Sequence, residues 1–127
     1  MPDLATIIDA LELTVLTPPK SPPILVEYAC ASDLLSNVMA TCPGHCLWIT
    51  VQCHLNVIGV ASLLDVQAVV LVGGALPDQS VLKKAREVGV TLLATGDSAF
   101  NLCGRLYNLG IRGVRRHEIP NKSGGVL

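Results

Sequence analysis

Between residues 47 and 98 the chain repeats one pattern three times: a short apolar run, a small polar cluster, then residues at helical spacing. Leu47-Trp48-Ile49-Thr50-Val51 leads into Gln52-Cys53-His54-Leu55-Asn56. Ala68-Val69-Val70-Leu71-Val72 leads into Gly73-Gly74, and Val90-Thr91-Leu92-Leu93-Ala94 into Thr95-Gly96-Asp97-Ser98. Such runs suit strands buried on both faces. The helical stretches differ from one another. Residues 56–65 are apolar nearly all round (Val57, Ile58, Val60, Ala61, Leu63, Leu64), which predicts cover on both sides. Residues 78–88 turn Val81, Leu82, Ala85 and Val88 inward and Lys83, Lys84, Arg86 and Glu87 to water, and Gly89 ends them as a C′ glycine does. Residues 97–109 start at Asp97 or Ser98, bury Ala99, Leu102, Leu106 and Leu109, and stop at Gly110. The units share a rhythm of 21–22 residues but no residue pattern, so they do not indicate a solenoid.

The preceding part is less regular. Leu4, Ile7, Ile8 and Leu11 predict a short amphipathic helix over 3–11, and Leu13 to Thr17 a short strand. Pro18-Pro19-Lys20-Ser21-Pro22-Pro23 stops regular structure, since each proline lacks an N–H and biases its predecessor to extended geometry. Residues 24–29 read as a second strand. Ser32 is a candidate N-cap for a helix over 33–40, with Asp33 in its first turn suiting the positive end of the dipole. Strands alternating with helices predict a three-layer α/β fold: a mostly parallel sheet with right-handed crossovers and helices on both faces. One domain is expected over 1–117, with a flexible C-terminal tail over 118–127.

Composition narrows the function classes. Half of the 127 residues are hydrophobic and 15% are charged, which is too apolar for disorder. Tyr28, Trp48, Phe100 and Tyr107 are the only aromatics, so stacking platforms for single-stranded nucleic acid are nearly absent and a nucleic-acid partner is not expected. No apolar run is long enough to span a bilayer, and the N-terminus lacks a signal-peptide pattern; a cytoplasmic protein without membrane contact is expected. Five cysteines, an odd number, argue against a disulfide framework. The net charge of −1 is unevenly spread: residues 1–33 hold five acids and one base, residues 105–122 five bases and one acid. The basic stretch is either a solvated surface or a contact for phosphate or an acidic partner.

Asp33-Leu34-Leu35-Ser36-Asn37-Val38-Met39, Trp48 through Asn56, Leu71-Val72-Gly73-Gly74 and Leu92-Leu93-Ala94-Thr95 together resemble the DRTGG domain family, over roughly residues 3–112. That family is similar in fold to the N-terminal domain of HPr kinase/phosphorylase. The resemblance implies a compact accessory or regulatory module, often a homodimer. Stand-alone members accompany iron-hydrogenase and related anaerobic redox systems, which implies a protein partner in a redox complex. Two positions depart from the family pattern. Its Thr-Gly-Gly is Val72-Gly73-Gly74 here, and its Asp-Arg pair falls near Gln52-Cys53-His54, where neither residue stands. A kinase of the HPr type needs a G-x-x-x-x-G-K-[ST] loop, and none of Lys20, Lys83, Lys84 or Lys122 sits in one. No enzyme activity is expected.

The leading candidate site is the set of convergent strand ends. Ligands of open parallel sheets collect beyond the carboxyl ends of strands, where helix N-termini offer free N–H groups. Gly73 and Gly74 would let the backbone approach a ligand, while Gln52, His54, Asn56, Thr95, Asp97 and Ser98 would supply hydrogen bonds to a nucleotide or other phosphorylated molecule. The competing reading makes Asp97 and Ser98 helix caps and Gly73-Gly74 a turn. A second candidate is zinc or iron held in a redox accessory protein by the Cys42–His54 cluster (Cys42, His45, Cys46, Cys53 and His54), with Cys42, His45 and Cys46 closely spaced on one loop, although Pro43-Gly44 equally suits an ordinary turn. Cys53 beside His54 has the chemistry of a nucleophile pair, but neighbours on a strand point to opposite faces. The sequence identifies no cofactor. Helix 56–65 is the expected dimer element.

Overall fold

The computed structural model describes residues 1–115. Its elements are α1 (Leu4–Ala10), β1 (Thr14–Val15), β2 (Ala29–Ala31), α2 (Leu35–Thr41), β3 (Leu47–Thr50), α3 (Leu55–Leu64), β4 (Ala68–Leu71), α4 (Gln79–Val88), β5 (Leu92–Ala94) and α5 (Ala99–Asn108). They form one sheet in the order β1-β5-β4-β3-β2. The strands β2 to β5 are parallel and adjacent in chain order, while β1 closes the far edge antiparallel to β5.

Each parallel step moves one strand in the same direction, so right-handed crossovers place α2, α3 and α4 on the same face. Strand alternation divides the apolar residues accordingly. Trp48, Val69, Leu71 and Leu92 meet Val38, Val57, Ile58, Ala61, Val81 and Ala85 on that face. Leu47, Ile49, Ala68, Val70 and Leu93 meet Leu4 and Ile7 of α1 and Leu102 and Leu106 of α5 on the other. The result is the three-layer α/β architecture, with helices on both faces of a mostly parallel sheet. The all-round apolar α3 lies between α2 and α4, which covers both its flanks. Gly89 ends α4 at φ 76°, a left-handed cap that a side chain would strain.

Three expectations need correction. The strand expected over 24–29 is only Ala29–Ala31. Its amino half bonds to the chain's beginning instead of the sheet: Leu4 N–H donates to the Ile24 carbonyl (2.7 Å) and Val26 N–H to the Pro2 carbonyl (3.0 Å). Asp33 lies outside the helix, which begins at Leu35, and Ser32 does not occupy its N-cap, which is Leu34. Ser32 Oγ does accept from the Leu34 N–H, at 3.3 Å. Finally, Cys42 and Cys46 form a disulfide. Pro43-Gly44-His45 turns the chain between α2 and β3 so that the two buried side chains meet, leaving Cys30, Cys53 and Cys103 free. The expected tail, 118–127, lies outside the described residues. Among the described residues no helix is long and apolar enough to cross a membrane.

Candidate functional site

The carboxyl ends of the parallel strands carry two separate polar clusters. In the first, buried Thr50 ends β3 and its hydroxyl donates to Asp33 Oδ1 (2.7 Å), which also accepts from the Val51 N–H (2.9 Å). Gln52 completes it: its N–H donates to Thr50 Oγ1 (3.1 Å) and its Nε2 to the Asp33 carbonyl (2.7 Å). The loops after β2 and β3 are thereby tied together. Asp33 and Thr50 hold this corner, yet the sequence offered only one cue, a polar threonine ending an apolar run.

The second cluster joins the loops after β4 and β5. Gly73 and Gly74 both sit at positive φ, 68° and 78°, as a reversal there requires. Their N–H groups donate to the Asp97 carbonyl (2.8 Å) and the Thr95 carbonyl (3.1 Å), so both amides are engaged within the protein. Thr95 Oγ1 accepts from the Asp97 N–H (3.1 Å) and Asp97 Oδ1 from the Ser98 N–H (3.0 Å). Ser98 Oγ caps α5 by accepting from the Asn101 N–H (3.1 Å), and Arg105 reaches Asp97 Oδ2 at 3.4 Å. The structure therefore brings Gly73, Gly74, Thr95, Asp97 and Ser98 together, and places Gln52 with Asp33 instead.

His54 and Asn56 belong to neither cluster. His54 is the N-cap residue of α3 and makes no side-chain capping bond, so among the described residues the N–H groups of Leu55 and Asn56 have no acceptor. By contrast, Asp78 caps α4, with Oδ1 accepting from the Val81 N–H at 3.1 Å. The Asp78 carboxyl is held below its usual range chiefly by the Ser80 hydroxyl, then by the Val81 N–H, with a smaller contribution from nearby His54. The α3 terminus thus opens beside the amino end of α4. From here α4 passes to one face of the sheet and α5 to the other, with the loops after β4 and β5 bonded together between them. Large apolar side chains also line this rim. Leu34, Val51, Leu55, Leu76 and Phe100, all exposed, follow the successive parallel strands, with Phe100 88% exposed.

The expected metal ligands are placed otherwise. The Cys42 and Cys46 sulfurs are bonded to each other, and His45 faces Asp65, with Nδ1 3.9 Å from Oδ2. Among the described residues no three His, Cys, Asp or Glu side chains gather as a metal site. Cys53 is half-buried against the helical layer while His54 is exposed.

Layer order and an uncapped helix terminus make the carboxyl end of the sheet the candidate binding edge of this α/β domain. The fold is DRTGG-like. It is similar to the crystal structure of the CBS and DRTGG domains of the regulatory region of Clostridium perfringens pyrophosphatase, complexed with its activator diadenosine tetraphosphate, with a TM-score of 0.70 at 13% identity. The match covers 95% of this chain and 51% of that one, so this chain spans about half the length of the structure it resembles. No family model matches the sequence, and no curated protein matches it.

Proposed function

We propose that the chain is a regulatory binding module without chemistry of its own, which takes a nucleotide or other phosphorylated small molecule at the carboxyl ends of its parallel strands. The observation that carries this reading is the uncapped amino terminus of α3. Two N–H groups and the positive end of the helix dipole face outward there, beside the exposed side chains of His54 and Asn56. The exposed apolar rim offers a surface for a nucleoside base. The likeness in fold to a regulatory region crystallised with a dinucleotide activator supports the ligand class.

The test is a thermal-shift screen with ATP, diadenosine tetraphosphate and inorganic phosphate. A ligand at a hundred times its dissociation constant adds about 2.7 kcal/mol to stability, a clear rise in midpoint. Asn56→Asp separates binding from folding, because a carboxylate in the first turn of α3 favours the helix dipole yet repels a phosphate. Loss of the shift in a variant at least as stable as the parent supports the site. Undiminished binding by Asn56→Asp, or no shift with any of the three probes, removes it.

The same module acts as a homodimer in this reading, through the outer surface of α3. Leu55 and Leu63 are exposed on that surface at helical spacing, with Gly59 between them. A Cβ at Gly59 would meet nothing, so packing within the protomer gives no reason for a glycine that weakens the helix. Light scattering across a concentration series should give twice the chain mass, and Leu63→Glu should halve it. A monomer at every concentration ends the dimer reading.

A further inference from the structure

The two faces of the sheet are unequally covered. Among the described residues three helices pack on one face and two on the other, although helices about 10 Å wide need more than two to span five strands about 4.8 Å apart. The deficit falls at the edge strand β2, beside α5. Ala29 and Ala31 project onto this bare corner, and small side chains there leave a cavity of about 240 Å³ between the sheet and α5. An engineered apolar cavity of about 150 Å³ accepts benzene, so this one has room for a six-membered ring with a substituent.

Its walls combine an apolar interior with a fixed cation. Cys103 lines the α5 side, and burial pushes its thiol pKa up, so it brings no negative charge to the cavity. The opposite wall is the segment after α5, which is tied to the β2 side of the sheet: Ala29 N–H donates to the Arg112 carbonyl (3.0 Å) and Arg112 N–H to the Glu27 carbonyl (3.3 Å). Arg112 itself is held in three ways. Its guanidinium lies 3.7 Å from the centroid of the Tyr107 ring, and Nη1 donates to the carbonyls of Tyr107 (2.8 Å) and Ile111 (3.1 Å). Those bonds use one nitrogen, and among the described residues Nε and Nη2, the edge that suits a carboxylate, have no acceptor. Arg112 and Gly113 also line a second, more polar basin of about 470 Å³ adjoining the first, where Glu27 is the acidic member.

We propose that this corner is a second ligand site, separate from the strand-end rim, for a small carboxylic acid with a compact aromatic or branched apolar body. The body occupies the cavity over Ala29 and Ala31, and the carboxylate meets Arg112 at its mouth. Part of the basic stretch of the sequence thereby gains a specific role.

The test is a ¹⁵N–¹H NMR titration of the whole chain with benzoate, and with benzyl alcohol as the neutral counterpart. Benzoate should shift the amides of Ala31, Cys103 and Gly113, and benzyl alcohol should bind about tenfold more weakly. Arg112→Gln should erase the difference between the probes, and Ala31→Leu, which fills the floor, should abolish both. Alkylation of Cys103, followed by mass spectrometry, should slow in the presence of benzoate; this readout needs no variant to fold. Shifts confined to the loops around His54 and Ser98, equal binding of the two probes, or unchanged alkylation of Cys103 would each overturn the proposal.

Discussion

Replacing Thr17 by valine tests the seam between the antiparallel edge and the parallel sheet. Thr17 is 1% exposed, and its hydroxyl bonds twice: it donates to the Val90 carbonyl at 2.7 Å and accepts from the Leu92 N–H at 2.7 Å. Valine keeps the shape and removes both bonds, leaving a backbone donor and acceptor facing a methyl group. Each buried group left unpaired costs about 1–3 kcal/mol. The methyl that replaces the hydroxyl returns roughly 0.8 kcal/mol of burial, so the net loss should be about 1–5 kcal/mol. Thr17→Ser keeps both bonds and loses only a methyl, a cost of about 0.8 kcal/mol. In urea titrations followed by the fluorescence of Trp48, the midpoints should fall in the order parent, Thr17→Ser, Thr17→Val, with the slope unchanged. A valine variant as stable as the serine variant would refute the reasoning.

Two further outcomes follow from the structure. Alkylation without reductant should label Cys30, Cys53 and Cys103 only, and with reductant all five cysteines; opening the short Cys42–Cys46 loop should cost about 2 kcal/mol by loop entropy. The Asp65 carboxyl is held below its usual range, first by its hydrogen bond from Lys20, at 2.8 Å, and by that ammonium's charge. A depressed folded-state pKa stabilises above the unfolded value and is lost as pH falls through the folded one. The stability gap between the parent and Lys20→Met should therefore be present at neutral pH and close in acid, below the ordinary carboxylate range; a gap that widens in acid contradicts the pairing.

What the sequence disclosed followed the range of the interactions involved. The β-α rhythm from Leu47 to Asn108 rests on local periodicity and on stop signals such as Gly89, and it yielded β3 to α5 and the three-layer class. The β2 region failed because its bonds are remote: the chain at Ile24 and Val26 answers to residues 2–4, and Ala29 to Arg112. Asp33 suited a helix dipole by its neighbours, but its carboxylate serves Thr50 and Val51, seventeen and eighteen residues away. The candidate site was legible as a place more than as a mechanism. Topology put Gly73, Gly74, Thr95, Asp97 and Ser98 at one corner and left Gln52, His54 and Asn56 outside it, and only the folded chain shows that the glycine amides are already engaged. The disulfide left no trace in the count of cysteines, since an odd total does not forbid one pair.

The segment between β1 and β2 joins opposite edges of the sheet and must run past the amino ends of the strands between them. It is fastened along the way: Thr91 Oγ1 donates to the Pro18 carbonyl, Lys20 meets Asp65, and Gln67 Nε2 donates to the Leu25 carbonyl. In kinetic terms the molecule has two tiers. Each parallel β-α-β step closes a loop of about twenty residues, whereas the contacts of Thr17 and Pro18 close loops of 73–75. The parallel sheet can therefore assemble before the crossing segment seals it, and native-state hydrogen exchange should find that segment opening as its own unit while β3 and β4 stay protected.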